Sequence, residues 1–271
     1  MTADFSLKNG KIPYYESALL ASYGIRHAFF TRIGGVSKGK FASLNFAAGA
    51  GEITDDWENV VENHKIAASV FGLTEKDVCR TYQTHTSRVE TATNADRGRG
   101  LTLPPYDHGV DGLITTEKDL LLSVRSADCV PVLLCDKNKT AVSACHSGWR
   151  GTVGGITENA VKLMAEKGID KRDILAAIGP CIGACCYEVG TEVYDAFIQK
   201  DKNFSICFEP KENDKFMLDL TKANELVLLR AGLLPENISC ANICTRDNEK
   251  EFFSHRRDGV VRGTMSAFIC L

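Results

Sequence analysis

The longest apolar run in the chain, Leu120–Leu134, is broken by Arg125 and Asp128. Spanning a bilayer takes about 18 uninterrupted apolar residues, so this run does not cross a membrane. It reads instead as two short buried strands, Leu120–Val124 and Val130–Leu134, with a polar break between them. Thr140–Ala144 and Ile174–Ile178 read the same way. Three segments carry helical spacing. Asp55–Phe71 puts Trp57, Val60, Val61, Ala67, Ala68 and Phe71 on one face, with Asp55 and Glu58 as a capping box and Gly72 as the stop. Val153, Ile156, Ala160, Leu163 and Met164 recur up to Gly168, and Leu220–Ala231 lies between Asp219 as N-cap and Gly232. Strands and helices mix without a strict β-α-β-α order, and no repeat or linker divides the chain. The expected fold is α/β (mixed α+β), one compact domain over residues 1–271 with mixed sheets flanked by helices.

Charge excludes one class of partner. The 32 Lys+Arg against 35 Asp+Glu leave a net −3, which argues against nucleic-acid binding through bulk charge. The first residues, Met1–Ser17, hold no apolar signal core, so a cytoplasmic rather than secreted protein is expected. Eleven cysteines, an odd number, cannot all pair, and in a cytoplasmic chain they serve as core residues, metal ligands or nucleophiles. The polar stretch Asn94–Gly109 reads as a surface loop.

Three segments place chemistry-bearing side chains where a strand meets a loop: Tyr82–Val89, Ser126–Pro131 and Ala144–Thr152. His85, Cys129 and His146 together make a His₂Cys set, which suits Zn²⁺ and leaves a fourth position for water or substrate. Each residue taken alone also fits an ordinary structural role, and spacings of 44 and 17 residues form no local metal signature. After His146 the chain turns through Ser147–Gly151 toward a helix near Thr152. That turn suits an anion held by free N–H groups and Arg150, and equally suits a tight turn whose glycines serve geometry alone.

The segments His146-Ser-Gly-Trp-Arg-Gly-Thr152, Ser126-Ala-Asp-Cys129, Gly179–Gly190, Thr31–Ser37, Ser43-Leu-Asn45 and Ser254–Gly259 resemble the YfiH/laccase-domain family, in order from about Arg26 to Phe268. The family was named polyphenol oxidase, or multicopper laccase, and is understood as purine nucleoside phosphorylases. These also act on methylthioadenosine and deaminate adenosine. The resemblance implies a zinc held by His85, Cys129 and His146. It also shows departures. Thr86 stands where the family has Gly, which strains a β-branched residue if that position needs positive φ. His255 stands in place of a frequent Tyr, Ser147 in place of Ala, and Val260-Val261-Arg262 keeps only the Arg of a Thr-Gly-Arg pattern.

Phosphorolysis needs phosphate held below the ribose, a stabilised oxocarbenium-like transition state and a neutralised leaving purine. Arg32, Arg150 and Arg257 are the candidate phosphate clamps, each also fit for a surface ion pair. Asn45 is a candidate for base or ribose, or a turn residue; Asp111 for ribose or for orienting a metal-bound His, or again a turn. Zinc would polarise an oxygen or activate water, the latter fitting deamination. Rival readings are a copper-dependent polyphenol oxidase and a Cys129–His146 hydrolase. Six histidines, three already assigned, cannot build a trinuclear copper cluster. A cytidine-deaminase site is disfavoured because no His-x-Glu is present and Pro180-Cys181 is followed by Cys185. A structural zinc module on Cys181, Cys185 and Cys186 is the non-enzyme alternative. Adjacent cysteines on a strand point to opposite faces and rarely bind one ion, so these read as buried thiols in a well-packed turn, and Cys145 reads as a core residue.

Overall fold

The computed structural model describes residues 4–49 and 52–271. Two six-stranded sheets pack face to face. In the first, the order is Phe5–Lys8, Tyr14–Ser17, Arg26–Phe30, Met265–Cys270, Leu121–Ser126 and Val78–Arg80. In the second it is Ile238–Cys240, Ile174–Ile178, Val130–Asp136, Val142–Ser147, Gly112–Thr115 and Val89–Thr91. Each sheet mixes parallel and antiparallel pairs. Val78–Arg80 runs parallel to Leu121–Ser126, for example, while Val130–Asp136 is antiparallel to both its neighbours. A third, three-stranded sheet stands apart from both.

Burial follows the two-residue period of a strand covered on both faces. From Val130–Asp136, Val130, Val132 and Leu134 point to a helical layer, while Leu133 and Cys135 point to the other sheet. From Ile174–Ile178, Leu175 and Ala177 meet Leu122, Val124, Ala267 and Ile269 across the sheet–sheet interface. Helices Ile156–Glu166 and Leu220–Ala231 cover the outer face of the second sheet. Helix Trp57–Ser69 covers the first through Ala67 and Ala68, which pack with Phe30, Phe46 and Phe268. The result is the mixed α/β architecture expected from the sequence.

Three details differ from the sequence reading. The 153–168 segment is two helices, Trp149–Val153 and Ile156–Glu166, because Gly154 and Gly155 part them and Gly155 adopts a left-handed φ of 75°. Helix Trp57–Ser69 has Asp56, not Asp55, at its N-cap, since the Asp55 carboxylate instead accepts from Ser37, Asn45 and Asn59. The stretch Asn94–Gly109 is more than a loose loop, as Leu101 is buried in the core.

The broken apolar run has a topological meaning. Leu121–Ser126 belongs to the first sheet and Val130–Asp136 to the second, so residues 127–129 carry the chain from one sheet to the other. Residues 81–88 make another such crossing, from Val78–Arg80 to Val89–Thr91, and residues 241–264 a third. All three crossings contribute to one cavity. No helix among the described residues is long and apolar enough to cross a membrane.

Candidate metal centre and active site

His85 lies in the 81–88 crossing, Cys129 in the 127–129 crossing, and His146 at the end of strand Val142–Ser147. One ligand atom from each falls within 4.8 Å of the other two. Cys129 Sγ is 4.0 Å from His85 Nε2, and the two imidazole rings meet edge to face at 5.0 Å. Gly148 makes this approach possible: a Cβ there would stand 3.0 Å from Cys129 Sγ and 3.2 Å from His85 Cδ2. Both crossings turn sharply, with His85 at φ 61° and Asp128 at φ 91°. Left-handed backbone at non-glycine residues gathers where a structure holds a site in a set geometry. Thr86 escapes the expected strain, because the positive φ falls on His85 itself.

Asp111 organises the cluster from behind. Fully buried, it accepts from the backbone N–H groups of Thr84, His85 and Thr86 at 3.1, 3.0 and 2.8 Å, and from the Thr86 hydroxyl at 2.9 Å. His146 Nδ1 lies 2.8 Å from the same carboxylate, which leaves Nε2 as the nitrogen for a metal. Burial would raise the Asp111 pKa, but His146 and these N–H donors hold it at about 2. Burial would likewise raise the Cys129 thiol, yet the flanking His146 and His85 imidazoles bring it down to about 6. His146 moves the other way: burial opposes its charge, but the Cys129 thiolate and Asp111 raise it to about 9. A thiolate between two imidazoles, one of them backed by a carboxylate, is a donor set that suits Zn²⁺.

The cluster opens on a cavity of about 360 Å³. Arg150, Arg256 and Arg262 line it, with Trp149, Tyr187 and His255. The Arg150 guanidinium lies 4.2 Å from the Trp149 ring centroid and makes no ion pair among the described residues. Arg262 Nε is buried with no hydrogen-bond partner among the described residues, an unmatched donor at the rim of a site. Asp128 fixes the wall by accepting from Thr245 Oγ1, Ser254 Oγ and the Arg256 N–H at 2.7, 3.0 and 2.7 Å.

Of the expected substrate contacts, the structure brings only Arg150 to the cavity. Asn45 is fully buried elsewhere, its amide bonded to Ala47, Asp55 and the Thr264 N–H. Arg32 packs on Phe253 and donates to the carbonyls of Ala42 and Glu249. Arg257 donates to the carbonyls of Thr245, Arg246 and Phe252 and pairs with Asp258, so it is a brace. Asp111 has no exposed oxygen for ribose and orients His146 instead. Helix Trp149–Val153 starts before Thr152 and is only five residues long, so the arginines rather than a helix dipole supply the positive charge. Sequence reasoning missed Arg256 as well as Trp149 and Tyr187. Its signal was present: Arg256 and Arg257 adjoin on helix His255–Asp258, and consecutive helical residues point about 100° apart, so one faces the cavity while the other turns inward.

The remaining histidines serve elsewhere. His27 Nε2 accepts from the Ser17 N–H, His64 packs against Phe46 and Phe268, and His108 pairs with Asp107 and Glu90. Comparison with known proteins agrees with the motifs. Residues 26–271 match the family described as multi-copper polyphenol oxidoreductase laccase. The protein named purine nucleoside phosphorylase YlmD of Geobacillus stearothermophilus is 40% identical over 247 residues, 88% of this chain and 87% of that one. The protein named adenosine deaminase RL5, from an unknown prokaryotic organism, is 36% identical over 215 residues, 78% of this chain and 81% of that one. The crystal structure of YlmD from Geobacillus stearothermophilus matches with a TM-score of 0.88 at 34% identity, covering 99% of this chain and 98% of that one. With sequence, fold and motif order in agreement over nearly its whole length, this chain belongs to the YfiH/laccase-domain family of enzymes.

Proposed function

We infer that this chain is a zinc-dependent purine nucleoside phosphorylase. It would cleave inosine, adenosine or S-methyl-5′-thioadenosine with phosphate to free base and a ribose 1-phosphate, and deaminate adenosine as a side activity. One observation carries the reading: a His₂Cys donor set opens on a cavity edged by Arg150, Arg256 and Arg262. His85, Cys129 and His146 would hold the ion, with Asp111 keeping the His146 imidazole in its metal-facing orientation. When bound, zinc supplies Lewis-acid polarisation of an oxygen and a lowered pKa for water. The three guanidinium groups hold the phosphate dianion as nucleophile, and Arg262 Nε gains there the acceptor that it otherwise lacks. Trp149 and Tyr187 offer aromatic faces to a purine. Burial raises the Tyr187 phenol far above neutrality, so it stays protonated and able to donate. His255 lines the same cavity with Nδ1 3.2 Å from the Gly259 carbonyl oxygen, leaving Nε2 to meet the departing base.

Copper oxidase chemistry has less support, because His27 and His64 are packed in the interior and no trinuclear histidine cluster forms among the described residues. The decisive measurement follows base release from inosine by metal-analysed protein, with and without phosphate. Expected are hypoxanthine and ribose 1-phosphate only when phosphate is present, with Arg150→Ala raising the phosphate KM about 10-fold, the loss of one charge-assisted contact. Copper-dependent oxygen uptake with phenols and no phosphate-dependent base release would overturn the reading.

A further inference from the structure

A second group of ligand-type side chains converges outside the cavity. Cys185 and Cys186 lie in the turn after Ile182, and Cys244 and Asp247 lie in the 241–264 crossing. One ligand atom from each of the four falls within 4.8 Å of the others. Cys185 Sγ is 3.1 Å from Asp247 Oδ2, and Cys186 Sγ is 3.0 Å from Oδ1, so each carboxylate oxygen faces its own thiol. The Gly183 N–H and Arg246 Nη1 donate to Cys244 Sγ and Cys186 Sγ, both at 3.3 Å. The turn expected from the sequence is present and Cys181 is buried in it, but the expected burial of Cys185 and Cys186 fails. Cys185 is exposed and Cys186 half-buried, and in a turn the strand alternation that would part them does not apply.

We propose that Cys185, Cys186, Cys244 and Asp247 form a second metal site, a closed tetrahedral Cys₃Asp site for Zn²⁺. A tetrahedron with Zn–S bonds of about 2.3 Å sets sulfurs about 3.8 Å apart. The four ligand atoms are already gathered at that scale, so small side-chain rotations complete the shell. Three thiolates with one carboxylate select zinc: calcium and magnesium take oxygen ligands, and cuprous copper favours sulfur alone. Arg246 donates to Cys186 Sγ and offsets part of the negative charge that four anionic ligands leave on a divalent ion. Gly183 keeps the space clear, since a Cβ there would lie 3.1 Å from Cys185 Sγ and 3.2 Å from Cys244 Cβ. Binding releases the three thiol protons to solvent.

Four protein ligands leave no position for substrate, so the role is mechanical. The ion ties the loop that supplies Ile182 and Tyr187 to the segment that supplies Arg256 and Arg262. Backbone bonds already join them, from the Cys181 N–H to Ile243 at 3.2 Å and from the Thr245 N–H to Cys181 at 2.9 Å. The metal is a clip behind one wall of the cavity. This inference is independent of what the cavity does.

Zinc content of protein purified under reducing conditions without chelator tests it. The Cys185→Ser/Cys244→Ser double variant is expected to hold about one zinc per chain fewer than the unaltered protein, one site being one ion. Its nucleoside turnover should stay measurable. A Cys129→Ser variant should keep that same zinc, whatever the fate of the proposed catalytic site. Cobalt(II) added to metal-free Cys129→Ser protein should give an intense sulfur-to-cobalt charge-transfer band, which needs no serine variant of the clip to fold. Absence of that band, unchanged zinc content in the double variant, or a mass 2 Da low from a disulfide among these cysteines in place of bound zinc would each overturn the proposal.

Discussion

His85, Cys129 and His146 meet where the chain passes between the two sheets, whereas Cys185, Cys186, Cys244 and Asp247 meet at the surface between a loop and a crossing segment. The first group has three ligand-type residues, a buried carboxylate behind one imidazole and a cavity in front. The second has four, with its carboxylate among the ligand atoms rather than behind them. Residue type alone therefore does not decide what a thiol cluster does. The number of ligands and the position of the acid separate the two.

The sharpest way to break this contrast is to remove a thiol from each cluster. Cys129→Ser is expected to lower phosphorolysis by more than about 100-fold, beyond the usual effect of losing an outer partner of a metal ligand. Cys185→Ser should leave turnover within a few-fold of normal. Steady-state rates on inosine check both, and equal losses would erase the distinction between open and closed sites.

A finer cut exchanges the carboxylates. Asp111→Asn keeps a hydrogen-bonding group behind His146 but removes the charge, so metal affinity at the cavity should fall about 10–100-fold. Asp247→Asn should weaken only the surface ion. Chelator competition that reads the two release steps separately would show one step shifted in each variant.

The smallest expected effect concerns Cys145, next in sequence to His146 but fully buried on the opposite face of its strand. Cys145→Ala should cost about 1 kcal/mol of stability by removing a packed sulfur, with metal content and turnover unchanged. Thermal unfolding and metal analysis measure this, and metal loss with the fold intact would mean that Cys145 takes part in the cluster.

How legible each part was depended on how local its cause is. Helix Leu220–Ala231 was readable because Asp219 caps it, accepting from the Lys222 N–H, and Gly232 ends it at φ 107°. Strand Ile174–Ile178 was readable as a continuous apolar run because both its faces are covered. Pairing was not readable, since Val78–Arg80 finds Leu121–Ser126 across the fold. In the candidate site, motif order pointed to His85, Cys129 and His146. The arginines divided by orientation instead: Arg257 bonds three carbonyls while its neighbour Arg256 faces the cavity, and no pattern of residue types distinguishes them. The turn at Cys185 and Cys186 was legible, but not their exposure, which depends on the distant Cys244–Asp247 segment that they meet.

The sheet crossings have one more consequence. His85 and Cys129 each sit on a segment that leaves the first sheet and joins the second, while His146 belongs to the second alone. All three are nonetheless anchored from the second sheet: Val130, next to Cys129, pairs with Ser147, next to His146, and the His85 N–H donates to Asp111, which precedes strand Gly112–Thr115. A slip of strand Val130–Asp136 against Val142–Ser147 by a single residue, about 3.3 Å, exceeds the tolerance of a metal shell. The site thus works as a gauge of register: the donor set closes only when these two strands pair in the observed alignment.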